Sequence, residues 1–441
     1  MVPGDAAVAI FRQATRRRKV VSAAIHAGYS SGMSGALEGI VVLDLTRYLS
    51  GPHCTLLLAG LGAEVIKIDE PSIGDPAASA PPYAGAVGAT FDRSADSDYG
   101  VAYLKRARGK KSATLNLKHA RGRELFLQLA RHADVVVENF RPGVSERLGI
   151  AYTALQEVNP RMVYCALSGY GATGPDRGVK SFDLMAQAES GLMSITGEPD
   201  GPPMKKGGAL SDMIAGTYAA LGIVAALNER SRSGRGQAVD VAMVDCLFSM
   251  MMDEPVDSYE KLGLAPRQGN RIMRFSPFNA YRATDGWVTL GVVTHADWLA
   301  LLKVIGREDL AADPDFGRTG WRIVHNEEVD RLVGGWLSRR TAKEATDRLR
   351  AADVPCSPVR TPQEAIAWPQ LKARNMVQPL RRPDGEQTGV LAAGMPLKFS
   401  RSAAHHDEPA PIPGAHTAEI FERFLGLGAD DLARLKADAI I

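Results

Sequence analysis

Short apolar runs alternate with segments of helical periodicity along the first half of the chain. Residues 39–45 and 64–69 are such runs, rich in valine and isoleucine. Between them, from His53 to Leu61, apolar residues recur at helical spacing, and Gly62 ends the segment. A strand, a helix and a second strand within about 30 residues form a βαβ unit, which implies a parallel sheet covered by helices.

The same alternation continues to about residue 262. Further strands are predicted at Ser112–Leu117, Asp134–Glu138, Met162–Ser168 and Val239–Val241. Helices are predicted at His119–His132, Tyr152–Val158, Ser181–Ile195, Met213–Arg230 and Ala242–Leu262, and a loop at Ala77–Ala95. The pattern therefore predicts an α/β fold, with a Rossmann-like large domain built on a parallel sheet.

The pattern changes after Arg267. A strand at Trp287–Val293 is followed by helices at about Asp297–Ile305, Glu327–Leu337 and Lys343–Ala352, and two helices, Thr417–Leu425 and Ala429–Ala437, end the chain. We therefore predict a leader or disordered extension (1–35), the first part of a large Rossmann-like domain (36–262), a smaller α+β domain (263–377), and a C-terminal segment that returns to the large domain (378–441).

Composition and charge exclude several classes of function. The chain has 441 residues and a net charge of +2, so bulk electrostatic binding to nucleic acid is not expected. Its four cysteines lie far apart, which indicates neither a zinc site nor a disulfide framework and fits a reducing, cytoplasmic location. No uninterrupted apolar run reaches the length of a membrane-spanning helix, so no membrane partner is expected.

The first 35 residues are rich in arginine and poor in acidic residues. Such a leader is compatible with a mitochondrial presequence. We favour a disordered extension or an alternative start, because Met33 immediately precedes the first patterned segment.

Common catalytic motifs are absent from the sequence. The first βα turn lacks the Gly-x-Gly-x-x-Gly dinucleotide fingerprint, and there is no Walker A motif. No Gly-x-Ser-x-Gly elbow and no His-Glu-x-x-His motif occurs, so neither a serine hydrolase nor a metal site is indicated.

An acidic residue at the start of a long helix is the first candidate for chemistry. Gly207 and Gly208 form a permissive turn, and Ser211 and Asp212 then open the predicted helix. Asp212 has two interpretations. It is either a helix cap, which accepts a backbone N–H of the first turn, or a nucleophilic carboxylate beside a flexible backbone.

Basic residues also lie close to the ends of the predicted strands. They are Arg108, Lys110, Lys111, Arg141, Arg147 and Lys180. Each alone is typical of a solvated surface. Together, at the ligand-binding edge of a parallel sheet, they are suited to hold phosphates or a carboxylate.

A series of motifs runs in order along residues 36–441. They are Gly39-Ile-Val-Val-Leu-Asp-Leu-Thr-Arg, Gly51-Pro52, Leu61-Gly-Ala-Glu-Val-Ile-Lys-Ile, Val137-Glu-Asn-Phe-Arg-Pro-Gly, Ser168-Gly-Tyr-Gly-Ala-Thr-Gly-Pro, Phe182-Asp-Leu-Met-Ala-Gln-Ala-Glu-Ser-Gly-Leu-Met, Ser233-Gly-Arg-Gly-Gln, Thr284-Asp-Gly-Trp-Val and Pro413-Gly-Ala-His-Thr. Taken together they resemble the class III CoA-transferase family, also called the CaiB/BaiF family.

The resemblance implies a CoA-transferase with an aspartate nucleophile, which falls on Asp212. Its carboxylate would attack the carbonyl of an acyl-CoA, and CoA would re-attack the mixed anhydride to give an aspartyl-CoA thioester. An acceptor acid would then receive CoA. The coenzyme A thioester is in this case a substrate, and no permanently bound cofactor is implied.

The resemblance also implies residues that contact CoA and a mode of assembly. The matching positions are Arg47, Leu49, Lys110, Asn139, Phe140, Arg147 and Lys180. Lys110 and Arg147 would face phosphates, Phe140 would lie against the cofactor, and Asp183 and Gln187 would lie on a helix facing the site. The implied assembly is a homodimer of two interlocked rings.

Three positions depart from the family pattern. Glu70 stands where an arginine near the adenine is usual. Residues 271–277 contain no glycine, which argues against formyl/oxalate specificity, and Phe182 occupies the place of the second base of racemases.

The sequence leaves the function open within limits. The alternatives are a 2-methylacyl-CoA racemase of the same family and a non-catalytic acyl-CoA-binding protein in which Asp212 caps the helix. The acyl donor and acceptor acid are not indicated directly. Arg47, Lys180, Lys205 and Lys206 are either surface charges or a sign of a dicarboxylate such as succinate.

Overall fold

The structure, a computed structural model, describes residues 33–85 and 88–441. The predicted leader therefore lies outside the described residues, apart from residues 33–35. Contacts group the described residues into two compact units. The first extends to Ser190 and also contains Gly207–Met250 and Gln370–Ile441, and the second consists of Gly191–Lys206 and Met251–Pro369.

These units differ in detail from the predicted domain limits. The chain leaves the first unit at Met251, earlier than the boundary predicted at residue 262, and returns at Gln370 rather than at residue 378. Residues 191–206, which the sequence pattern placed in the large domain, group with the second unit.

The helices and strands are numbered here in chain order. They are β1 (Val41–Asp44), α1 (Ser50–Gly60), β2 (Glu64–Asp69), β3 (Tyr83–Gly85), β4 (Gly88–Thr90), β5 (Tyr99–Gly100), α2 (Val101–Arg106), β6 (Lys111–Thr114), α3 (Ala120–Ala130), β7 (Val135–Glu138), α4 (Val144–Leu148), α5 (Tyr152–Val158), β8 (Val163–Ser168), α6 (Asp183–Glu189), α7 (Leu192–Ile195), α8 (Leu210–Ser233), β9 (Ala238–Ala242), α9 (Met243–Met251), β10 (Phe278–Arg282), β11 (Trp287–Gly291), α10 (His295–Ile305), α11 (Thr319–Val324), α12 (Asn326–Leu337), α13 (Ala342–Ala351), β12 (Cys356–Pro358), α14 (Pro362–Ala367), α15 (Pro369–Ala373), β13 (Val377–Arg381), β14 (Gln387–Ala393), α16 (Thr417–Leu425) and α17 (Ala429–Ala437).

A parallel sheet forms the centre of the first unit. Within the described residues it has six strands in the order β6-β2-β1-β7-β8-β9, and every neighbouring pair is parallel. The order reverses between β1 and β7, so the loops that leave these two strands diverge. In parallel sheets a ligand crevice forms at such a switch point, outside the carboxyl ends of the strands.

The inner strands of this sheet are buried on both faces, which explains their near-continuous apolar runs. Val135, Val136 and Val137 of β7 are fully buried. On one face, α3 contributes Phe126 and the C-terminal helix α16 contributes Phe421 to the same core. The C-terminal segment thus belongs to the large hydrophobic core of the first unit.

Three predicted segments differ from the structure. Ala77–Ala95 is not only a loop, because β3 pairs with β4 and β5 in a small antiparallel sheet. The helix predicted at Ser181–Ile195 is interrupted at Gly191, whose φ of 85° lies in the left-handed region that ends helices. The helix predicted at Ala242–Leu262 ends at Met251, shortly before Pro255, which disfavours helical conformation in the preceding residue.

Helix α8 is the longest apolar helix of the first unit. Among the described residues it is the one helix whose length and composition would suffice to cross a membrane. Its apolar residues do not form an uninterrupted run, so the sequence pattern did not predict this. Ala215, Ala219 and Ile223 on one side of α8 are fully buried within the unit. Core helices of soluble proteins commonly meet the same criteria.

The second unit has an antiparallel sheet and a core of its own. Strands β10, β11 and β12 pair in that order. Trp298, Leu301 and Leu302 of α10 pack with Val329 and Val333 of α12 in this core. Helix α10 begins with a capping box formed by the side chains of Thr294 and Asp297.

Candidate active site

Asp212 lies in the first turn of α8, but it does not cap the helix. Asp183 supplies the cap, because its Oδ1 accepts hydrogen bonds from the Ser211 backbone N–H and hydroxyl, both at 2.8 Å. The other oxygen of Asp183 accepts a bond of 2.7 Å from the buried Gln187 amide. No backbone N–H of the described residues donates to the Asp212 carboxylate, so the helix-cap interpretation of Asp212 is wrong.

The Asp212 carboxylate is partly buried, and this changes its acidity. Burial raises its pKa to about 6, and the neighbouring Asp183 charge acts in the same direction. The Arg106 charge and the nearby Ser50 hydroxyl act in the opposite direction and favour the ionised form. At neutral pH Asp212 is therefore mostly ionised, poorly solvated and not engaged in a cap.

Close packing of α1 against α8 fixes the distance between Asp212 and the loop after β1. The contact is made at Gly216, one turn after Asp212. A Cβ atom at Gly216 would overlap with the backbone carbonyl oxygen of Ser50 and would lie 3.1 Å from the His53 ring. Glycine is therefore required at this crossing for Ser50 to lie beside the nucleophile candidate.

A cleft of about 420 Å³ opens over Asp212 at the switch point of the sheet. It contains five of the residues predicted from the sequence, namely Leu49, Asn139, Phe140, Lys180 and Asp212. Its other polar lining residues include Ser50, Ser168, Arg141 and Arg177, and its apolar ones include Leu167, Val179, Phe182 and Met243. The cleft thus joins loops that follow β1, β7 and β8 to the start of α8.

A second cleft of about 370 Å³ contains the predicted residues Arg47 and Arg147. Phe140 lines both clefts, so the two clefts adjoin at this residue. Lys118 and Glu70 also line the second cleft. Sequence reasoning missed Lys118, although it follows the carboxyl end of β6 as Arg47 follows β1, and that position is the signal that would have identified it.

Glu70, where the family usually has arginine, makes local bonds. Its Oε2 accepts from the Ser72 hydroxyl at 2.8 Å and from the Ile73 backbone N–H at 3.0 Å. The carboxylate therefore stabilises the turn after β2, and it places one negative charge among the cations of the second cleft.

The turn after β1 is held from several sides. The Asn139 side chain accepts from the Arg47 N–H at 2.9 Å and donates to the Arg47 carbonyl at 2.8 Å, which ties the β1 and β7 loops together across the switch point. The next residue, Tyr48, has a φ of 67°, which is unfavourable for a side chain of its size. Arg106 donates to the Tyr48 carbonyl at 2.6 Å, and Asp75 accepts from its N–H at 3.3 Å.

Lys110 does not fit the predicted role of a phosphate contact. Its side chain is fully buried, and its ammonium donates to Asp44 at 3.0 Å, to the Thr55 hydroxyl at 2.7 Å and to the Pro52 carbonyl at 3.2 Å. These acceptors account for its three N–H groups. Lys110 is thus a structural residue beneath α1, and the prediction that it faces CoA is corrected accordingly.

The carboxylate that binds Lys110 is strongly acidic. Burial alone would raise the pKa of Asp44, but the charges of Lys110 and Lys67 and bonds from two threonine hydroxyls outweigh it and lower the pKa to about 2. Lys67 in turn contacts Asp69 at 3.3 Å and Asp75 at 3.1 Å. This buried charge cluster lies directly behind the turn that contains Tyr48.

The two clefts together combine a carboxylate with a group of cations. An ionised carboxylate lies in one cleft, and the adjoining cleft has three cations, Arg47, Lys118 and Arg147. Such a pair of clefts is suited to a long ligand with phosphates at one end and an electrophilic carbon at the other.

Comparison with known proteins gives a consistent result. The profile of the family described as CoA-transferase family III matches residues 37–417. The succinyl-CoA:mesaconate CoA-transferase of Haloarcula hispanica is 37% identical over 397 residues, which cover 88% of this chain and 96% of that protein. The acetyl-CoA:oxalate CoA-transferase of Acetobacter aceti is 37% identical over 383 residues, covering 86% of this chain and 92% of that protein.

A solved structure is also similar. The crystal structure of a CaiB/BaiF family protein from Brucella suis superposes with a TM-score of 0.74 at 30% sequence identity. The match covers 89% of this chain and 100% of that chain.

Proposed function

The chain belongs to CoA-transferase family III, and from this premise we propose that Asp212 is the nucleophile through which it moves CoA from an acyl-CoA thioester to an acceptor carboxylic acid. The observation that carries the assignment is the position of Asp212. Asp212 lines a cleft at the switch point of the sheet, and its carboxylate is ionised at neutral pH. Asp183, and not Asp212, accepts the hydrogen bond from the Ser211 N–H at the start of α8.

We assign the two clefts to the two ends of the thioester. The phosphates of CoA bind in the second cleft, where Arg47, Lys118 and Arg147 supply positive charge. The pantetheine arm passes Phe140, which lines both clefts, and brings the thioester carbonyl to Asp212. Asn139 supports this path indirectly, because it holds the turn at Arg47 in place.

The proposed chemistry requires no separate base. The Asp212 carboxylate attacks the thioester carbonyl, and CoA leaves as a thiolate, which gives a mixed anhydride. The thiolate then attacks the Asp212 carbonyl of that anhydride, which forms aspartyl-CoA and releases the donor acid. Because the carboxylate is poorly solvated, it is a stronger nucleophile than a free carboxylate in water.

We propose that the substrates are small acids, with dicarboxylates as the class to test first. The two named relatives act on succinyl-CoA with mesaconate and on acetyl-CoA with oxalate. Of the cations that suggested a dicarboxylate, Lys180 lines the cleft over Asp212, whereas Arg47 lines the second cleft and is assigned to phosphate binding.

We also propose a homodimer. Large apolar side chains on three helices of the first unit are exposed, namely Leu184 and Met185 on α6, Tyr218, Leu221 and Val224 on α8, and Phe248 and Met250 on α9. Large apolar side chains exposed in such number are typical of an interface with another chain. It is compatible with the interlocked dimer that the resemblance implies.

A transfer assay with purified protein tests the proposed function. Succinyl-CoA and acetyl-CoA serve as donors, and mesaconate and oxalate are among the acceptors. We expect Asp212→Asn to reduce the transfer rate by at least about a thousandfold, since it removes the nucleophile. Near-normal transfer by this variant would contradict the proposal.

The same variant also separates catalysis from helix capping. A capping role would make Asp212→Asn less stable or neutral, with activity retained. Because folding raises the pKa of Asp212 from 3.8 to about 6, its ionisation lowers the stability of the fold as the pH rises through that interval, and the full loss is present at neutral pH. The variant is therefore expected to melt at the same temperature as the wild type or higher at neutral pH.

A further inference from the structure

Arg106 lies beside the proposed nucleophile but has no part in the scheme so far. It is the last residue of α2, and its guanidinium is partly buried. One N–H group donates to the Tyr48 carbonyl at 2.6 Å. Two carboxylates, Asp212 first and then Asp75, interact with its charge.

Tyr48 connects Arg106 to the reaction cleft. Tyr48 lines the cleft that contains Asp212, and its ring meets Phe182 edge-on at 6.4 Å between centroids. The backbone of Tyr48 is in the left-handed region, and Arg106 binds its carbonyl there. The guanidinium is therefore held one hydrogen bond away from a residue that lines the cleft, and its charge acts on Asp212.

Two other basic residues of this region, Lys110 and His53, are not equivalent to Arg106. Lys110 is fully buried and paired with Asp44. His53 on α1 is neutral at pH 7, because burial and the charges of Lys110 and Arg106 lower its pKa to about 4. Asp75 is paired with Lys67 at 3.1 Å. Asp212 is thus the carboxylate of the cleft whose negative charge compensates the positive charge of Arg106.

That balance is lost during the reaction that we propose. In aspartyl-CoA the Asp212 carboxylate has become a neutral thioester, while Arg106 keeps its charge. Arg106 then keeps Asp75 but has lost the first of the two carboxylates that interact with its charge, which is unfavourable for a partly buried cation. An incoming carboxylate restores the balance and lies next to the carbon that it must attack.

We propose that Arg106 binds the reacting carboxylate of the acceptor acid in the aspartyl-CoA form of the enzyme. This inference rests on the proposed function. An oxygen of the bound carboxylate attacks the Asp212 thioester carbon, so that a C–O bond forms, the C–S bond breaks and CoA leaves with the electron pair as a thiolate. The thiolate then attacks the acceptor carbonyl of the anhydride, and the C–O bond to that carbon breaks, which returns the Asp212 carboxylate.

Substitutions at Arg106 test the inference through a difference between two Michaelis constants. Arg106→Gln removes the charge but retains an N–H donor for the Tyr48 carbonyl, and Arg106→Lys retains the charge. Lys105→Gln is the matched control, since it removes a neighbouring positive charge on α2. Each protein is assayed with succinyl-CoA and isotope-labelled succinate, and with acetyl-CoA and labelled acetate.

We expect Arg106→Gln to raise the KM for the acid at least about tenfold, which corresponds to the loss of one charge-assisted hydrogen bond. The KM for the acyl-CoA should change less than about twofold, because Asp212 is ionised when the donor binds. Arg106→Lys should restore part of the affinity for the acid. Lys105→Gln should behave as the wild type.

Two other results have distinct meanings. If Arg106→Gln leaves the KM for the acid unchanged, or raises both KM values equally, the residue only supports the Tyr48 turn and the inference is wrong. Mass spectrometry of the same variants, incubated with donor alone, shows whether CoA becomes attached to Asp212. If the wild type forms no such adduct with either donor, the proposed function fails as well.

Discussion

At the scale of single residues, two aspartates have different roles: Asp183 caps α8, and Asp212 is the proposed nucleophile. Asp183 accepts hydrogen bonds from the backbone N–H and the hydroxyl of Ser211 and therefore stabilises the start of α8. Asp212, which follows Ser211 in the chain, makes no capping bond and has a raised pKa. The charge of Asp183 contributes to that pKa, so the cap and the nucleophile are electrostatically linked.

This linkage predicts the pH dependence of transfer. Activity should decline as the pH falls through about 6, because protonated Asp212 is not nucleophilic. In Asp183→Asn the acidic limb of kcat/KM should move to lower pH, since one charge that raises the pKa is removed. Glu189→Gln, an equal change of charge at the exposed end of α6, is the control. A limb at the same pH in all three proteins would contradict this account.

The sequence predicted most of the site residues but not their partners. Asp212, Leu49, Asn139, Phe140 and Lys180 do line one cleft. Neither Asp183 as the cap nor Arg106 as the neighbouring cation could be inferred, because each acts on a residue distant in sequence. Asp183 and Ser211 are 28 positions apart, and their contact depends on how α6 packs against α8.

At the scale of elements, the packing of α1 on α8 and on the buried charge cluster sets the geometry. Gly216 allows the helices to approach, and Lys110 binds both β1 through Asp44 and α1 through Thr55 and Pro52. Helix α1 is thus attached on two sides. Its first residue, Ser50, is consequently held beside Asp212.

Replacement of Lys110 tests whether this lysine is structural. Lys110→Met leaves Asp44 buried without its partner, which should lower the free energy of unfolding by about 3–5 kcal/mol. Lys111→Met is the matched control, because Lys111 is partly exposed and its pairs with Glu64 and Glu419 should contribute about 1 kcal/mol or less. Chemical denaturation of the two variants provides the comparison.

The opposite pattern would favour the role that the sequence suggested. If Lys110→Met unfolds at the same denaturant concentration as Lys111→Met while its KM for the acyl-CoA rises, Lys110 contacts CoA. The sequence could not separate these roles, because a lysine before a strand is compatible with both a buried ion pair and an exposed phosphate contact.

Element types were largely predictable, whereas interruptions were not. The strand predicted at residues 64–69 and the helices at Thr417–Leu425 and Ala429–Ala437 occur as predicted. Predictions from periodicity were wrong at Gly191, where a single residue interrupts a helix of otherwise regular spacing. They were also wrong for short strands that pair only with one another, such as β3 and β4. Short strands carry too few residues for a periodic signal.

At the scale of the whole molecule, the exposed apolar side chains of α6, α8 and α9 form the surface that we assign to the dimer. Helix α8 has two apolar sides, which is why its composition also suits a membrane span. Its buried side packs inside the unit, and we propose that a second copy of the chain covers the other.

A charge on this face tests the proposed dimer. The wild type should elute and scatter light as a dimer, since the face is too apolar to remain in water. Leu221→Glu, at a residue that is 63% exposed, should convert the protein to monomers or aggregates. Leu262→Glu, at a similarly exposed leucine of the second unit, is the control. A monomeric wild type, or a Leu221→Glu variant that stays dimeric, would contradict the proposal.

The covalent role of Asp212 is tested most directly by mass spectrometry of the enzyme after incubation with an acyl-CoA donor in the absence of acceptor. We predict that the peptide containing Asp212 gains the mass of CoA less one water, that added acceptor acid removes the adduct, and that Asp212→Asn does not form it. Transfer activity without any adduct on this peptide, or an adduct on another residue, would contradict the account.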